Sequence, residues 1–221
     1  MRLHPFKAAG ETAGRLPESQ DVPSPSDRIP RPLLWLLLTV PALPMTWPVL
    51  FGEAPWRFAI GPTGEAAAIL LLCALALSPL RLLFPRAPLV LWLLRRRRDI
   101  GLAAFFYAVL HLVFFVLSIG RLDYILQGLA WASMWTGWLA FALMLVPAAI
   151  SSDRAMRRLG RMWKRLQRLL HAVAVLVLCH WLLLAATPFE ALFWFTLLAA
   201  LQLARLGLIF YGRRDVRETE T

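Results

Sequence analysis

The chain has 221 residues, 59% of them hydrophobic, and a formal net charge of +11. Its mean hydropathy of +0.62 is far above that of a soluble domain. These values exclude an ordinary soluble enzyme and indicate a membrane protein. The basic residues of such a protein face lipid headgroups, so the charge requires no nucleic-acid partner.

The first segment in chain order, residues 1–32, is rich in proline, serine and charge and lacks the apolar core of a signal peptide. Such a segment cannot bury enough apolar surface to offset the entropy cost of ordering. We therefore predict a disordered cytoplasmic tail at 1–32. A second, short cytoplasmic tail is predicted at 213–221.

Residues 33–212 are predicted to form one all-α domain, a polytopic membrane bundle of six transmembrane helices without an internal repeat. Six apolar runs are long enough to cross a hydrocarbon layer about 30 Å thick. Prolines at 41, 44 and 48 are expected to kink the first run, and Thr187-Pro188 divides the last two. The runs lie near 33–51, 65–84, 100–119, 134–150, 169–187 and 190–211.

Basic residues are divided unevenly among the connections. Of the 24 lysines and arginines, only Arg57 and Arg121 fall on the side that would face away from the cytoplasm. The positive-inside rule then places both termini in the cytoplasm, and an even number of spans agrees with this.

Two histidines in separate runs, His111 and His180, are predicted to reach the same depth. His111 lies 13 residues after Arg98 and His180 lies 12 residues after Arg168, and both basic clusters are assigned to the cytoplasmic side. At about 1.5 Å per residue, each ring is roughly 18 Å from that side. Ionisable residues are costly at this depth and usually functional. Facing each other, the two imidazoles can ligate haem iron. In the alternative, a non-redox membrane scaffold, each histidine only bonds a neighbouring helix.

The helix face of His111 also favours a flat ligand. Small residues precede it at helical spacing, and Phe114 and Phe115 are expected to wall the other side. A close contact between two helices uses small residues as well, so that alternative stays open. The small residues are Gly101, Ala104 and Ala108.

A third histidine, His171, precedes His180 by nine residues and so faces the opposite side of its helix. It lies close to Arg168 and the cytoplasmic surface. His171 either ligates a second haem on that side or forms a hydrogen bond at the interface.

Several short segments within roughly residues 60–210 have the order and spacing of a known family. The chain resembles the ferric reductase-like transmembrane proteins, and among them the haem-binding subunit of the periplasmic methionine-sulfoxide reductase system (the MsrQ/YedZ group). The segments are Thr63-Gly64, Ser78-Pro79-Leu80-Arg81, Arg97-Arg98-Asp99-Ile100-Gly101-Leu102, Leu110-His111-Leu112, Arg158-Leu159-Gly160 with Trp163, and His180-Trp181.

The resemblance implies a multi-pass protein of the bacterial inner membrane that holds haem b, in one copy or two. Such a subunit passes electrons outward to a periplasmic molybdopterin enzyme that reduces oxidised methionine. Quinol or a cytosolic flavin reductase is the implied donor, and FMN binding is compatible with the resemblance. The chain is then an electron-transfer subunit, not a complete enzyme. A divergent electron carrier with another partner is the remaining alternative.

The chain departs from the family pattern at Leu166-Gln167, where Leu-His is expected. His171 follows one turn later, about 40° around the helix, and is expected to replace the missing ligand. Otherwise the cytoplasm-side site is altered or lost.

Three arginines at the cytoplasmic face are candidates for binding haem propionates or a flavin phosphate. Their alternative role is to set the topology among lipid headgroups. They are Arg81, Arg97 and Arg98.

Overall fold

The structure is a computed structural model that describes residues 30–185 and 187–219, with side chains as far as Phe210. All regular structure in these ranges is helical, which confirms the predicted all-α bundle. The helices are α1 (Arg31–Thr39), α2 (Ala42–Leu50), α3 (Arg57–Leu83), α4 (Pro88–Arg95), α5 (Arg97–Ile119), α6 (Leu122–Gly128), α7 (Ala132–Ala149), α8 (Asp153–Leu159), α9 (Arg161–Gln167), α10 (Leu169–Leu184) and α11 (Phe189–Thr219).

Five helical segments within the described ranges are long and apolar enough to cross a membrane. They are α3, α5, α7, the α9–α10 segment Arg161–Leu184 and the Phe189–Phe210 part of α11. The first predicted span is a broken one, because α1 and α2 pass the same test together but are bent by 47° at their junction. Pro41 begins α2, and a proline ring clashes with the preceding helical turn.

The predicted tails fall at the edges of the described residues. The prediction for 1–32 lies outside them except for 30–32, and α1 already begins at Arg31. At the other end, α11 continues through the predicted tail as far as Thr219.

Two helix pairs form the centre of the bundle. The first pair is α3 with α5 and the second is α7 with α10, while α11 lies along α3. Lipid tails are as apolar as leucine, so membrane helices associate through close van der Waals contact, which small residues at the interface permit. Ala59, Ala104 and Ala191 are fully buried in this way, and larger core residues such as Leu71 and Val173 fill the space between helices.

One end of the bundle, where α5 and α10 begin, is called the basic end here. There Asp99 is only 3% exposed and accepts hydrogen bonds from three donors. They are Nε of Arg31 (3.0 Å), Nη2 of Arg31 (2.6 Å) and Nε1 of Trp35 (3.2 Å). The carboxylate therefore ties α1 to the start of α5.

A second ion pair at the basic end joins α5 to the surface helix α8. Arg98 donates to the carboxylate of Asp153, and this bond holds the pKa of Asp153 below its usual range. The α8 helix begins beside it, where the Ser152 hydroxyl accepts the backbone N–H of Ala155 at 3.1 Å. These contacts fix the connection between α7 and α9.

Candidate haem site

The structure brings His111 of α5 and His180 of α10 together in the middle of the bundle. Their ring centres are 6.2 Å apart and their planes are inclined by 89°. One metal ion between two imidazoles holds the ring centres about 6 Å apart, because each metal–nitrogen bond is about 2 Å long. The relative rotation of the two rings is free about that axis. The spacing therefore suits two axial ligands of a single metal.

Both rings have the same tautomer, fixed by the backbone of a neighbouring helix. Nδ1 of His111 lies 2.8 Å from the carbonyl oxygen of Ile60, and Nδ1 of His180 lies 2.5 Å from that of Ser133. A carbonyl oxygen only accepts hydrogen bonds, so each Nδ1 carries the proton. Each Nε2 is then left with the lone pair that a metal requires.

A glycine lies directly behind each ring. A Cβ atom added at Gly64 would lie 2.7 Å from Nδ1 of His111, and one added at Gly137 would lie 2.6 Å from Cε1 of His180. Real Cβ atoms do not approach other atoms so closely. Both positions therefore need glycine for the histidine to reach the carbonyl of the facing helix.

The two histidines face a cavity of about 470 Å³ between α3, α5, α7 and α10. Cofactor pockets commonly have this size and are mostly apolar. Most residues along the cavity are apolar, and its polar side chains other than the histidines, Glu65, Thr187 and Glu190, lie toward the end away from the basic end.

The donor set fits a metal that is held by a further group besides the protein. Across the described residues, no group of three or more histidine, cysteine or acidic side chains is arranged to hold a bare metal ion. Two imidazoles at this spacing would supply only two ligands. A macrocycle such as haem would supply the others, so the residues present fit that group.

The residues predicted to flank the ligand are only partly in place. Ala108 and Phe115 line the cavity, as expected. Phe114 does not: it is 4% exposed and stacks on Trp56, with ring centres 6.2 Å apart. The expectation for Phe114 is wrong because one residue turns a helix by about 100°. Ala104 is buried between helices, so it serves the helix contact instead of the cavity.

The structure does not bring His171 into this site. Its side chain lies on the exposed face of α10, and Nδ1 is 3.2 Å from the carbonyl oxygen of Arg168 in the preceding turn. Gln167 is half-buried, and its amide lies 3.4 Å from the carbonyl oxygen of Pro147. The cavity found at this end is about 20 Å³, enough for one water molecule.

None of the three candidate arginines lines the large cavity. Arg81 is exposed at the basic end. Arg97 is half-buried and donates to the hydroxyl of Ser78 at 3.1 Å. Arg98 is engaged by Asp153 and borders the small cavity.

Residues 63–179 match the family described as ferric reductase like transmembrane component. The chain belongs to this family. The matched region contains His111 and the helices that carry both glycines, and it ends one residue before His180. No solved structure matches the chain.

Curated relatives confirm the resemblance to the MsrQ group. A protein of Ralstonia nicotianae is 37% identical over 169 residues, covering 72% of this chain and 75% of the relative. One of Rhodospirillum rubrum is 39% identical over 170 residues, with coverages of 70% and 74%. One of Pectobacterium carotovorum is 36% identical over 155 residues, with coverages of 68% and 73%. Each is named protein-methionine-sulfoxide reductase heme-binding subunit MsrQ.

Proposed function

We propose that this chain is a b-type haem subunit that carries electrons across the bacterial inner membrane. The observation that carries the proposal is the pair of opposed imidazoles, His111 and His180, 6.2 Å apart beside a cavity of about 470 Å³. Bound haem supplies a one-electron couple between ferric and ferrous iron. Occupation of both axial positions favours electron transfer over oxygen binding.

The residues of the chain hold the cofactor and keep water away from it. His111 and His180 would each supply an Nε2 ligand to the haem iron, and the carbonyl bonds to their Nδ1 atoms fix the ring orientations. Apolar side chains such as Leu71, Met144 and Val177 line the cavity. A low-dielectric wall of this kind and the axial ligands together set the reduction potential.

The electron acceptor is proposed from the names of the curated relatives. Their names assign them to a methionine-sulfoxide reductase as the haem-binding subunit. We assign this chain the same role, with a periplasmic molybdopterin reductase as its partner and quinol or a cytosolic flavin reductase as its donor. For FMN, or for haem propionates, we propose Arg81, Arg97 and Arg98 at the basic end, where Arg97 is half-buried beside Ser78.

One haem per chain is the stoichiometry that the site favours. A second haem ligated by His171 stays a prediction of the sequence. A single haem is supported by the exposed side chain of His171 and by its contact with the carbonyl oxygen of Arg168 in its own helix.

Spectroscopy of the purified chain tests the proposal. We expect a Soret band, a low-spin spectrum and about one haem per chain, since two imidazoles saturate the iron. Adding the periplasmic reductase and methionine sulfoxide to the reduced protein should reoxidise it, while the reductase without its substrate should not. A colourless protein would support the scaffold alternative. A haem protein that the reductase leaves reduced would be a carrier with another partner.

Reporter fusions test the orientation. Fusions in the connection at 121–133 should report a periplasmic location, and fusions at 152–165 should report a cytoplasmic one, because nearly all basic residues lie on the second side. The reverse pattern would contradict outward electron transfer from a cytoplasmic donor.

A further inference from the structure

The two ligand histidines are held by two copies of one arrangement. In each copy a Thr-Gly pair on the facing helix lies against the ring, Thr63-Gly64 for His111 and Thr136-Gly137 for His180. The carbonyl that accepts the ring proton lies four residues before the glycine, at Ile60 and at Ser133. Sequence comparison of the two helices does not reveal this, because little besides the Thr-Gly pair is shared.

The residues that line the cavity occupy corresponding positions in the two helix pairs. Six residues within 61–71 of α3 line the cavity, and the six at the same relative positions within 134–144 of α7 line it too. Four residues within 108–115 of α5 correspond in the same way to four within 177–184 of α10. The α3–α5 pair and the α7–α10 pair therefore present the same pattern to the ligand from opposite sides.

In both copies the threonine hydroxyl shares the acceptor of the histidine. Thr63 Oγ1 lies 2.5 Å from the carbonyl oxygen of Ala59 and 3.1 Å from that of Ile60. Thr136 Oγ1 lies 2.8 Å from the carbonyl oxygen of Ala132 and 3.0 Å from that of Ser133. Both threonines are buried, 0% and 4% exposed, and neither lines the cavity. They act on the ligands only through the shared carbonyls.

We propose that Thr63 and Thr136 are positioning residues that set the reduction potential of the haem iron through the carbonyl oxygens of Ile60 and Ser133. This inference rests on the proposed haem ligation by His111 and His180. A hydroxyl that donates to a carbonyl oxygen draws electron density from it, so the oxygen accepts the Nδ1 proton of the histidine less strongly. A weaker Nδ1 bond makes the imidazole a poorer electron donor to the metal.

Removal of either threonine hydroxyl should lower the reduction potential of the haem iron. Without the hydroxyl, the carbonyl oxygen accepts the Nδ1 proton more strongly and the ligand becomes more basic. A more basic ligand stabilises ferric over ferrous iron, so the reduction potential falls. Thr136 shares its proton nearly evenly between two oxygens, whereas Thr63 lies closer to Ala59 than to Ile60. Removal of the Thr136 hydroxyl should therefore have the larger effect.

Redox titration of the purified haem protein, followed by its visible bands, tests the inference. Thr136→Val should lower the ferrous-to-ferric ratio at a fixed poise by threefold to tenfold, where tenfold is about 59 mV for one electron. Thr63→Val should lower it less, and Thr136→Ser should restore the original ratio because it keeps the hydroxyl. Electron paramagnetic resonance of the ferric form should show shifted g values only in the Val variants.

Thr46 in α2 provides the matched control. Its hydroxyl also bonds the carbonyls four and three residues back, Ala42 at 2.8 Å and Leu43 at 3.4 Å, but no histidine bonds either of them. Thr46→Val should leave the potential and the g values unchanged. An unchanged potential in Thr136→Val with haem retained would overturn the inference and leave the proposed function standing.

A second variant tests the inference if Thr136→Val folds poorly or loses haem. If Thr136→Val loses haem, Thr136→Ala removes the same hydroxyl without adding volume and should show the same fall in potential. Loss of haem from both, with retention in Thr136→Ser, would indicate a purely structural role. Absence of haem from the unaltered protein would overturn the proposed function together with the inference.

Discussion

Histidines occur at two levels of this bundle, in the middle and at the basic end, and their surroundings differ. In the middle, His111 and His180 each have a backbone acceptor on Nδ1, a glycine behind the ring and a shared cavity of about 470 Å³. At the basic end, His171 is exposed, bonds its own helix and does not line the cavity of about 20 Å³ found there. In the described residues, a second histidine, a backbone acceptor and a cavity coincide only in the middle of the bundle.

The largest expected effect is the loss of haem from the middle level. His111→Ala or His180→Ala removes one of two axial ligands, so the haem-to-protein ratio should fall from about one to below about a tenth. Absorption spectra and pyridine haemochrome assays of the purified variants measure it. A full low-spin spectrum in either variant would contradict the assignment.

The glycines behind the rings should be nearly as sensitive. Gly64→Ala or Gly137→Ala places a methyl carbon within 2.7 Å of the ring, which must move away from its carbonyl acceptor. We expect haem retention to fall several-fold in each. Gly207→Ala in α11 is the control, because a Cβ atom there meets nothing within 4 Å. Equal retention in all three variants would show that ring placement does not depend on the glycines.

Changes at the basic end should alter stability and leave haem in place. Asp99→Asn weakens a buried acceptor of three hydrogen bonds and should lower the free energy of unfolding by about 1–3 kcal/mol. Thermal unfolding in detergent, followed by tryptophan fluorescence, measures it. Trp35→Phe removes only one of those bonds and should cost less. Loss of haem from Asp99→Asn at temperatures where this variant remains folded would contradict the expectation that the basic end affects stability and not haem binding.

A smaller effect, dependent on pH, is expected at Asp153. Arg98 keeps its pKa lower in the folded protein than in the unfolded one, so the ionised carboxylate adds stability above its unfolded pKa. That contribution is lost as the pH falls through the folded pKa. The unfolding temperature of the unaltered protein should slightly exceed that of Asp153→Asn at neutral pH, and the difference should narrow toward acid. A difference in unfolding temperature that stays the same at all pH values would indicate that the ionised carboxylate of Asp153 does not cause it.

The smallest effect is expected at His171. His171→Ala should leave the haem-to-protein ratio unchanged, because its side chain is exposed and the other two histidines of the described residues lie together in the middle of the bundle. A ratio lower by one haem per chain, with the spectrum of the middle level intact, would establish the second haem and its ligand.

Depth counting brought the correct pair of histidines together because charge clusters mark where helices begin. Arg98 and Arg168 lie at the starts of α5 and α10, so an equal number of residues leads to an equal depth. Spacing along the helix face failed for Phe114, where a single residue decides which face of the helix it occupies. Pro41 correctly indicated that the first span is interrupted, since a proline excludes a regular helical turn before it.

The arrangement around the two histidine rings could hardly be predicted from the sequence. The acceptors at Ile60 and Ser133 are backbone atoms, and a carbonyl is present at every residue whatever its side chain. The expectation of no internal repeat was wrong for this site, because the two helix pairs share the register of their lining residues. Only three of the ten corresponding pairs are identical, Gly64 with Gly137, Ala67 with Ala140 and His111 with His180. The recurring Thr-Gly pair, at 63–64 and at 136–137, was the available signal.

The carbonyl bonds to His111 and His180 also bear on the speed of electron transfer. A change of charge at a metal normally forces ligands and solvent to rearrange, and that rearrangement forms much of the barrier. Here the rings are anchored to helix backbone, which moves little, and the cavity wall is mostly apolar. With haem ligated as proposed, the nuclear displacement between the two oxidation states would be small, and the helices that hold the two histidines would also lower the reorganisation energy.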